Sequence, residues 1–259
     1  MRRFSAALLA LLLLTASAQA QWRVVSSKSE FGASRRVEHR RVVARKDSGE
    51  EATLDLAIFS SKTATLRVID DPEANSNLAE TMKREKCLAG VNGGYFDPDY
   101  APVGLLVSDG RTIAPLRKAR LLSGVVSAAK GRVQIQRSAE FSSKTKPTDA
   151  IQCGPFLVDH GKAIAGLNNT RAARRSFVAA GRSDQVALGY ATHLTLAQLA
   201  ALLATIEIAP EMKFQRALNL DGGSSSAFWF AEQNGAFSIP EQKSVRDYLA
   251  VVARSGAAE

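Results

Sequence analysis

The segment of the chain best equipped for chemistry is Asn219-Leu220-Asp221-Gly222-Gly223-Ser224-Ser225-Ser226. An apolar run precedes it, so Asp221 is expected where a buried strand ends and a turn begins. A carboxylate in that place could serve as an acid, a base or a nucleophile, or could simply cap the turn. The backbone amides that follow could bind an anion as a nest. The candidate substrate-binding residues of this turn are Gly222, Gly223, Ser224 and Ser225.

A second glycine pair follows an apolar run, in Val91-Asn92-Gly93-Gly94-Tyr95-Phe96-Asp97. Paired glycines let the backbone approach a ligand closely. Asn92 could hydrogen-bond a hydroxyl or a phosphate oxygen, although an ordinary Asn-Gly turn would explain the same pattern. On the first interpretation Asn92 is a candidate catalytic residue, and the candidate substrate-binding residues are Gly93, Gly94 and Tyr95.

Two further segments complete the set of candidate residues. In Gln152-Cys153-Gly154-Pro155, Gln152 offers an amide and Gly154 opens a turn, so both are candidate substrate-binding residues. Arg174 and Arg175 come just before an apolar strand, and a guanidinium can hold a phosphate through two parallel hydrogen bonds. A solvated surface charge is the alternative for each arginine; on the phosphate-binding interpretation Arg175 is a candidate catalytic residue and Arg174 a candidate substrate-binding residue.

These side chains need a frame of strands to hold them in place. Short apolar runs are separated by hairpin turns such as Asp109-Gly110, which predict antiparallel pairing. Two helices are expected, over residues 77–86 and 196–205, the second with a capping box of Thr195 and Gln198. The predicted fold class is therefore α+β, a single domain whose core is a mixed, largely antiparallel sheet with two main helices.

The first 20 residues have the three-part layout of a cleavable secretion signal. Two arginines precede the apolar run 6–14, which is too short to span a bilayer, and the small residues Ala18-Gln19-Ala20 follow it. We expect cleavage near Ala20, a secreted or periplasmic location, and no transmembrane span in the mature chain. The expected organisation is a signal peptide at 1–20, a flexible N-terminus at 21–34 and one domain at 35–256.

The charge of the chain favours anionic partners. Its formal net charge of +9 falls to +7 when Arg2 and Arg3 leave with the signal. Such a surplus attracts anions, and in an exported protein these would be phosphosugars, envelope glycans or membrane headgroups. The basic residues are dispersed and no nucleic-acid-binding module is recognisable, so nucleic acid is not an expected partner. The oligomeric state is left open.

The sequence contains few residues that could form disulfides or bind a metal ion. The two cysteines, Cys87 and Cys153, could form one disulfide in an oxidising compartment or remain two buried thiols. The three histidines lack a partner at the spacing of a zinc site. No cofactor is expected, yet the carboxylates of Asp97, Asp99 and Asp221 leave a divalent cation open.

Taken together and in order, these segments resemble the phosphodiester glycosidase family. The resemblance covers about residues 55–253 and rests on several segments that are each weak alone. The segments that carry it are Asn92-Gly93-Gly94-Tyr95-Phe96, Pro102-Val103-Gly104, Gln152-Cys153-Gly154-Pro155-Phe156-Leu157, Arg175-Ser176, the helix 195–203 and Asn219-Leu220-Asp221-Gly222-Gly223-Ser224-Ser225.

The sequence departs from the family pattern at two places. Ser224 stands where a third glycine usually follows the aspartate. Val245-Arg246-Asp247 stands where the family often has Val-Pro-Asn before its final strand. Because the asparagine is missing, no ligand role is carried over to Asp247.

The resemblance implies an exported glycosidase-type hydrolase that cleaves the sugar–phosphate bond of a sugar-1-phosphodiester. Arg175, assisted by Arg174, would bind the phosphate, and Asp221 would act as nucleophile or as base toward water. Asn92 and Gln152 would orient sugar hydroxyls. Two alternatives remain open, a non-catalytic module that binds phosphosugars or glycans of the cell envelope and a metal-dependent phosphodiesterase.

Overall fold

The computed structural model describes residues 22–254, so the secretion signal expected at 1–20 lies outside the described residues. Eighteen strands in this part of the chain, numbered in chain order, form three sheets. The first sheet has the spatial order β1 (Trp22–Phe31), β2 (Val37–Lys46), β3 (Glu51–Ser60), β14 (Gln185–Leu194), β13 (Ala173–Ala180), β15 (Arg216–Asn219), β11 (Phe156–Asp159) and β12 (Lys162–Ala163). The second has the order β7 (Arg111–Ala114), β6 (Leu106–Ser108), β10 (Asp149–Cys153), β8 (Gly124–Ala129) and β9 (Arg132–Arg137). The third has the order β17 (Gly235–Ile239), β16 (Phe228–Glu232), β5 (Ala89–Asn92), β18 (Asp247–Ala253) and β4 (Ala64–Asp70).

Two α-helices accompany these sheets within residues 22–254. They are α1 (Leu78–Arg84) and α2 (Leu196–Leu203), and the short 3₁₀ turns are Ser143–Thr145, Ile206–Ile208 and Gly223–Ser225. In the described part of the chain, no helix is both long enough and apolar enough to cross a membrane.

All strand pairs among the described residues are antiparallel, so the expected antiparallel character is confirmed. The sheets of this part of the chain contain no parallel pair, so they are not mixed. The predicted turn at Asp109-Gly110 joins β6 to β7, and both residues have the positive φ that a tight hairpin requires, 48° and 76°. Strands make up 48% of the structure and helices 10%, which puts the fold at the border between α+β and mostly β.

The three sheets share one apolar core. Each sheet contributes side chains to it, for example Phe59, Val126 and Val91. The other face of the first sheet packs against α2, and β3 shows how the two faces divide. Ala57 and Phe59 point into the shared core, while Leu54 and Leu56 pack in the cluster that contains the α2 residues. Burying such a side chain contributes roughly 1.5–3 kcal/mol, which explains why β3 is apolar on both faces.

Both helices begin with a capping box. In α2 the Thr195 hydroxyl accepts the Gln198 N–H, and the Gln198 side chain accepts the Thr195 N–H at 2.8 Å, as the sequence predicts. Asn77 and Glu80 make the same reciprocal pair at the start of α1. Each cap satisfies N–H groups that a helix start leaves without partners, and is worth about 1 kcal/mol.

The expectation of a flexible N-terminus at 21–34 is wrong for most of that segment. Residues 22–31 form β1, which pairs along its length with β2. Trp22 is buried, and the Lys46 ammonium lies 4.8 Å from its ring centroid. β1 is an edge strand whose other side chains are mostly polar and exposed, so it lacks the apolar alternation that reveals a strand in sequence. The backbone hydrogen bonds to β2, rather than apolar side chains, hold β1 in the sheet.

The disulfide considered for Cys87 and Cys153 is absent from the structure, where both are buried free thiols. Cys87 packs in the apolar cluster around α1, whereas Cys153 packs in the core shared by the three sheets. Burial raises the pKa of Cys87 to about 12, so its thiol stays protonated at neutral pH. Each cysteine lies close in sequence to a candidate segment, but the fold does not bring the two sulfur atoms together.

The free thiols can be tested on purified protein that has never met a reductant. We expect both cysteines to be alkylated after unfolding in denaturant, because no bond joins them. For the same reason a reductant should leave the melting temperature unchanged. An unfolded, unalkylated species lighter by two hydrogens would contradict this prediction.

Candidate active site

The candidate residues meet where strand ends of the first and third sheets come together. Asp221 follows β15 of the first sheet, and the glycine pair Gly93-Gly94 follows β5 of the third. The Asp221 N–H donates to the Gly93 carbonyl at 3.1 Å, and the Leu220 N–H donates to the Ser176 carbonyl at 2.9 Å. The first of these hydrogen bonds joins two glycine turns that are far apart in sequence.

The side-chain amide of Asn92 holds this junction together. Its Nδ2 donates to the Asp221 carbonyl at 2.9 Å, while its Oδ1 accepts the Ser176 hydroxyl and, at 3.1 Å, the Ala227 N–H. Asn92 is 1% exposed. Contrary to the expectation that it orients sugar hydroxyls, both ends of its amide are occupied within the protein. Asn92 therefore positions Asp221.

Gln152 has a similar internal role, so the expectation that it contacts a sugar is also not met by its geometry. Its Oε1 accepts the N–H groups of Leu105 at 3.1 Å and Arg117 at 3.0 Å. Its Nε2 donates to the carbonyls of Arg117 and Leu122. The buried amide thus fixes the loops that flank β6 and β7.

Tyr95, Gly154 and Asn219 form a polar cluster close to Asp221. The Tyr95 hydroxyl donates to the Gly154 carbonyl, and Asn219 Nδ2 donates to the same carbonyl at 3.0 Å. Burial is the main cause that raises the pKa of Tyr95; the Asp221 carboxylate raises it further and Arg175 lowers it. The phenol therefore stays protonated, within electrostatic range of both charged groups.

Asp221 is half-buried at the start of its turn. Its Oδ1 accepts the Gly222 N–H at 2.9 Å. Burial raises the pKa of Asp221, whereas the Ser225 hydroxyl, the Gly222 N–H and the positive charge of Lys243 lower it. Within the described part of the chain, no arginine or lysine forms an ion pair with this carboxylate, so it is available to a ligand.

The Arg175 guanidinium is held at two of its nitrogens. Nε donates to the Leu194 carbonyl at 2.9 Å and Nη2 donates to the Arg171 carbonyl at 2.7 Å. The third nitrogen, Nη1, faces the glycine turn, since a Cβ on Gly222 would lie only 3.5 Å from it. Burial lowers the pKa of Arg175. No carboxylate pairs with it among residues 22–254, which leaves its charge uncompensated.

Arg174 holds a neighbouring segment, which we call the strap and define as residues 240–246. Its Nη2 donates to the carbonyls of Ser226 and Pro240, and its guanidinium lies 5.4 Å from the Tyr190 ring centroid. The strap is also tied to the turn after Asp221 by the Gln242 N–H, which donates to the Ser224 carbonyl at 2.7 Å. Arg174 therefore fixes the rim of the site, whereas Arg175 faces the site itself.

The turn after Asp221 is a short 3₁₀ helix over Gly223–Ser225. Gly223 has a φ of 69°, in the left-handed region that favours glycine. The first N–H groups of such a helix have no partner within it, so they can serve an anion. Ser224 is exposed and Ser225 is buried next to Asp221. The predicted nest at residues 222–225 is thus compatible with the backbone.

Two residues near Asp221 escaped the sequence analysis as candidates. Lys243, on the strap, lies 5.2 Å from the Phe96 ring centroid, and its charge lowers the pKa of Asp221. No sequence signal marks this lysine, because its position depends on how the strap folds back. Asp247 begins β18 with its carboxyl oxygen 2.8 Å from the Gly94 N–H. The sequence feature that could have identified Asp247 is an acidic residue directly before an apolar strand.

The geometry gives a metal site no support. In residues 22–254, no three His, Cys, Asp or Glu side chains are grouped so that they could share an ion. Asp97 Oδ1 accepts the N–H groups of Asp99 at 3.0 Å and Ala101 at 2.8 Å, so it closes its own exposed turn. Asp97, Asp99 and Asp221 are therefore not assembled as ligands, and the metal-dependent phosphodiesterase is not favoured.

Replacing Asn92 with alanine tests its positioning role. The change removes three buried hydrogen bonds and leaves their partners unsatisfied, so the free energy of unfolding should fall by about 3 kcal/mol or more. Thermal and urea unfolding followed by circular dichroism measure this loss. The matched control is Asn75→Ala, an exposed amide that donates to the Glu73 carboxylate. Equal stability of the two variants would contradict the assigned role.

The chain is similar to a family of known proteins. Residues 85–252 match the family described as phosphodiester glycosidase. YigE of Escherichia coli K12, an uncharacterized protein, is 30% identical over 91 residues, which are 32% of this chain and 36% of YigE. The chain therefore matches only about a third of the length of that relative.

Solved structures share the fold. The catalytic domain of zebrafish N-acetylglucosamine-1-phosphodiester α-N-acetylglucosaminidase, auto-inhibited by its pro-peptide, superposes with a TM-score of 0.65 at 17% identity and covers 89% of each chain. A protein of Burkholderia pseudomallei K96243 described as a candidate exported protein gives a TM-score of 0.56 at 13% identity, over 81% of this chain and 76% of its own. At these identities the likeness concerns the fold alone. Because the family match spans most of the chain and includes both glycine turns, Arg175 and Asp221, the chain belongs to the phosphodiester glycosidase family.

Proposed function

We propose that the chain is an exported hydrolase that cleaves the bond between the sugar and the phosphate of a sugar-1-phosphodiester. Membership of the family supports a glycosidase-type hydrolase. The observation that carries the proposal is the placement of the Asp221 carboxylate and the Arg175 guanidinium beside one glycine turn without an ion pair between them. Charges that could neutralise each other are left for a ligand, as is usual at functional sites.

The phosphate end of the substrate would lie against the basic side of the site. Arg175 Nη1 and the first amides of the Gly223–Ser225 turn supply donors for phosphate oxygens. Lys243 adds a positive charge at the rim. Because a phosphate is already a good leaving group, the reaction depends more on holding this anion than on a strong general acid.

Asp221 would act at the anomeric carbon. It serves either as a nucleophile that forms a glycosyl ester, later hydrolysed, or as a base that takes a proton from the attacking water. In both cases the bond between carbon and the phosphate oxygen breaks, and its electron pair leaves with the phosphomonoester. Water supplies the new hydroxyl of the sugar. The anomeric configuration of the released sugar, read by NMR, distinguishes the two routes.

Two observations support the class of substrate and the location. The zebrafish protein with the same fold is named for a sugar-1-phosphodiester, and we extend the bond type, but not the sugar, to this chain. The layout of residues 1–20 favours export, and a structural neighbour described as a candidate exported protein is compatible with it.

The proposal predicts that Asp221→Asn abolishes turnover of a sugar-1-phosphodiester that the parent cleaves. The amide keeps the size of the side chain but can neither attack carbon nor accept a proton, so kcat should fall by on the order of 10³-fold or more. Released sugar and phosphomonoester are measured over a panel of such diesters.

Asp99→Asn is the control for this substitution, because Asp99 is exposed and outside the site. It should keep the activity of the parent, whereas a metal-dependent enzyme that used Asp99 would lose activity and would also be inhibited by a chelator. A parent that binds the diesters without cleaving them, and an Asp221→Asn variant that binds equally well, would favour the non-catalytic module instead.

A second prediction concerns the dependence of the reaction on acid. Asp221 acts in its ionised form, so kcat/KM should fall as the pH drops through its raised pKa. Because the charge of Lys243 lowers that pKa, Lys243→Met should move the acid limb to higher pH. The shift should shrink at high salt, which screens an exposed charge. Lys130→Met, at an exposed hairpin turn, is the control, and an equal shift in both variants would refute the link.

A further inference from the structure

A buried carboxyl group lies directly beneath the glycine pair of the site. Asp247 is 2% exposed. Its Oδ1 accepts the Gly94 N–H at 2.8 Å, and its backbone carbonyl accepts the Gly93 N–H at 2.8 Å. A Cβ on Gly93 would lie 1.8 Å from this Oδ1, so the contact exists only because residue 93 has no side chain.

Gly93 connects the backbone of Asp247 to the candidate nucleophile. Its N–H binds the Asp247 carbonyl, and its own carbonyl accepts the Asp221 N–H at 3.1 Å. The adjacent Tyr248 pairs with Asn92 across β18 and β5, which fixes the register on this side. The backbone of Asp221 is therefore held through Gly93 by the residue at position 247.

The other oxygen of Asp247 is unsatisfied. Oδ2 is buried and has no hydrogen-bond partner in the described part of the chain. The charged groups that face the carboxyl are Asp70 on β4, Arg246 on the strap and Asp221. Arg246 is already committed, since its Nε donates to Asp70 at 2.7 Å and its Nη1 donates to the Tyr100 carbonyl at 2.7 Å. Cys153, on β10, is the remaining titratable group within electrostatic range.

A buried oxygen without a partner favours the neutral form of a carboxyl group. Burial is the main cause that raises the pKa of Asp247, to about 7, with the negative charges of Asp70 and Asp221 adding to it and the Gly94 N–H and Arg246 opposing it. Asp247 therefore carries its proton in mildly acidic solution and loses it near neutrality. Ionisation adds a second negative charge next to Asp221.

We propose that Asp247 is a positioning residue for Asp221, whose neutral carboxyl group holds the Gly93-Gly94 turn and whose ionisation suppresses cleavage. This inference rests on the proposed function. The ionised form repels the Asp221 carboxylate and the phosphodiester anion alike, so it opposes the bound state that the reaction needs. Activity should therefore decline on the basic side with a midpoint near the pKa of this group, about 7.

Asp247→Asn separates the hydrogen bond from the charge. The amide oxygen can still accept the Gly94 N–H, but the side chain cannot ionise. At about pH 6 we expect kcat/KM within about threefold of the parent, and above neutrality we expect the basic decline of the parent to disappear. The exposed Asp184→Asn variant should keep that decline. An Asp247→Asn profile with the same basic limb as the parent would overturn the proposal.

Asp247→Leu removes the acceptor for the Gly94 N–H altogether. We expect kcat at about pH 6 to fall by about 100-fold with little change in KM, because the turn beneath Asp221 loses its support. Unchanged kcat in a folded variant would overturn the positioning role. If the leucine variant does not fold, the pH profile of Asp247→Asn decides the question alone.

A measurement without substrate keeps this inference separate from the proposed function. In ¹⁵N NMR spectra of the parent, the amide signals of Gly94 and Asp221 should titrate together with a midpoint near 7, the pKa of Asp247. This transition near 7 should vanish in Asp247→Asn, whereas the Asp221 signal keeps the titration of its own carboxyl group. A joint titration supports the inference even if no diester is cleaved, whereas cleavage without it overturns the inference and leaves the proposed function intact.

Discussion

The geometry of the site depends on one neutral side-chain amide, that of Asn92. Its hydrogen bonds reach the Asp221 carbonyl, the Ser176 hydroxyl and the Ala227 N–H, and so connect strands of two different sheets. Only a side chain that is both donor and acceptor can satisfy this set, which excludes a carboxylate or an alkyl group of the same size. Because unsatisfied buried groups are costly, the junction has essentially one arrangement.

Around this junction the polar groups fall into two kinds. Gln152 is satisfied by the protein itself, whereas the Asp221 carboxylate and the Arg175 Nη1 lie beside the glycine turn that follows Asp221. Buried or half-buried charges are normally paired, and separating them lowers stability. For Arg175 that cost is consistent with an anionic ligand that supplies the missing partner. The residues that locate the site and the residues that face its ligand are therefore different ones.

The parts of this structure that depend on local chemistry were predictable. The turn residues predicted the hairpins, and Thr195 and Gln198 predicted the start of α2. The glycine pairs predicted the turns that contain Asp221 and Gly93. Roles that depend on distant partners were not predictable: the partners of the Asn92 amide lie 84 to 135 residues away. The sequence shows that residue 92 carries an amide, but it does not show that this amide is hydrogen-bonded within the protein. Lys243 escaped for the same reason, since the strap is positioned by contacts with Ser224 and Arg174.

The close contact beneath the first glycine pair also restricts how this site can change by mutation. A Cβ on Gly93 would lie 1.8 Å from Asp247 Oδ1, closer than any nonbonded atoms approach. A side chain at residue 93 therefore requires the Asp247 carboxyl group to move or to be replaced, and the Asp247 backbone carbonyl, 3.0 Å from that Cβ, restricts it further. The two positions are therefore coupled in mutation, although they lie far apart in the sequence. A library that varies one codon at a time meets a barrier here, whereas one that varies both codons together can explore new turns beside Asp221.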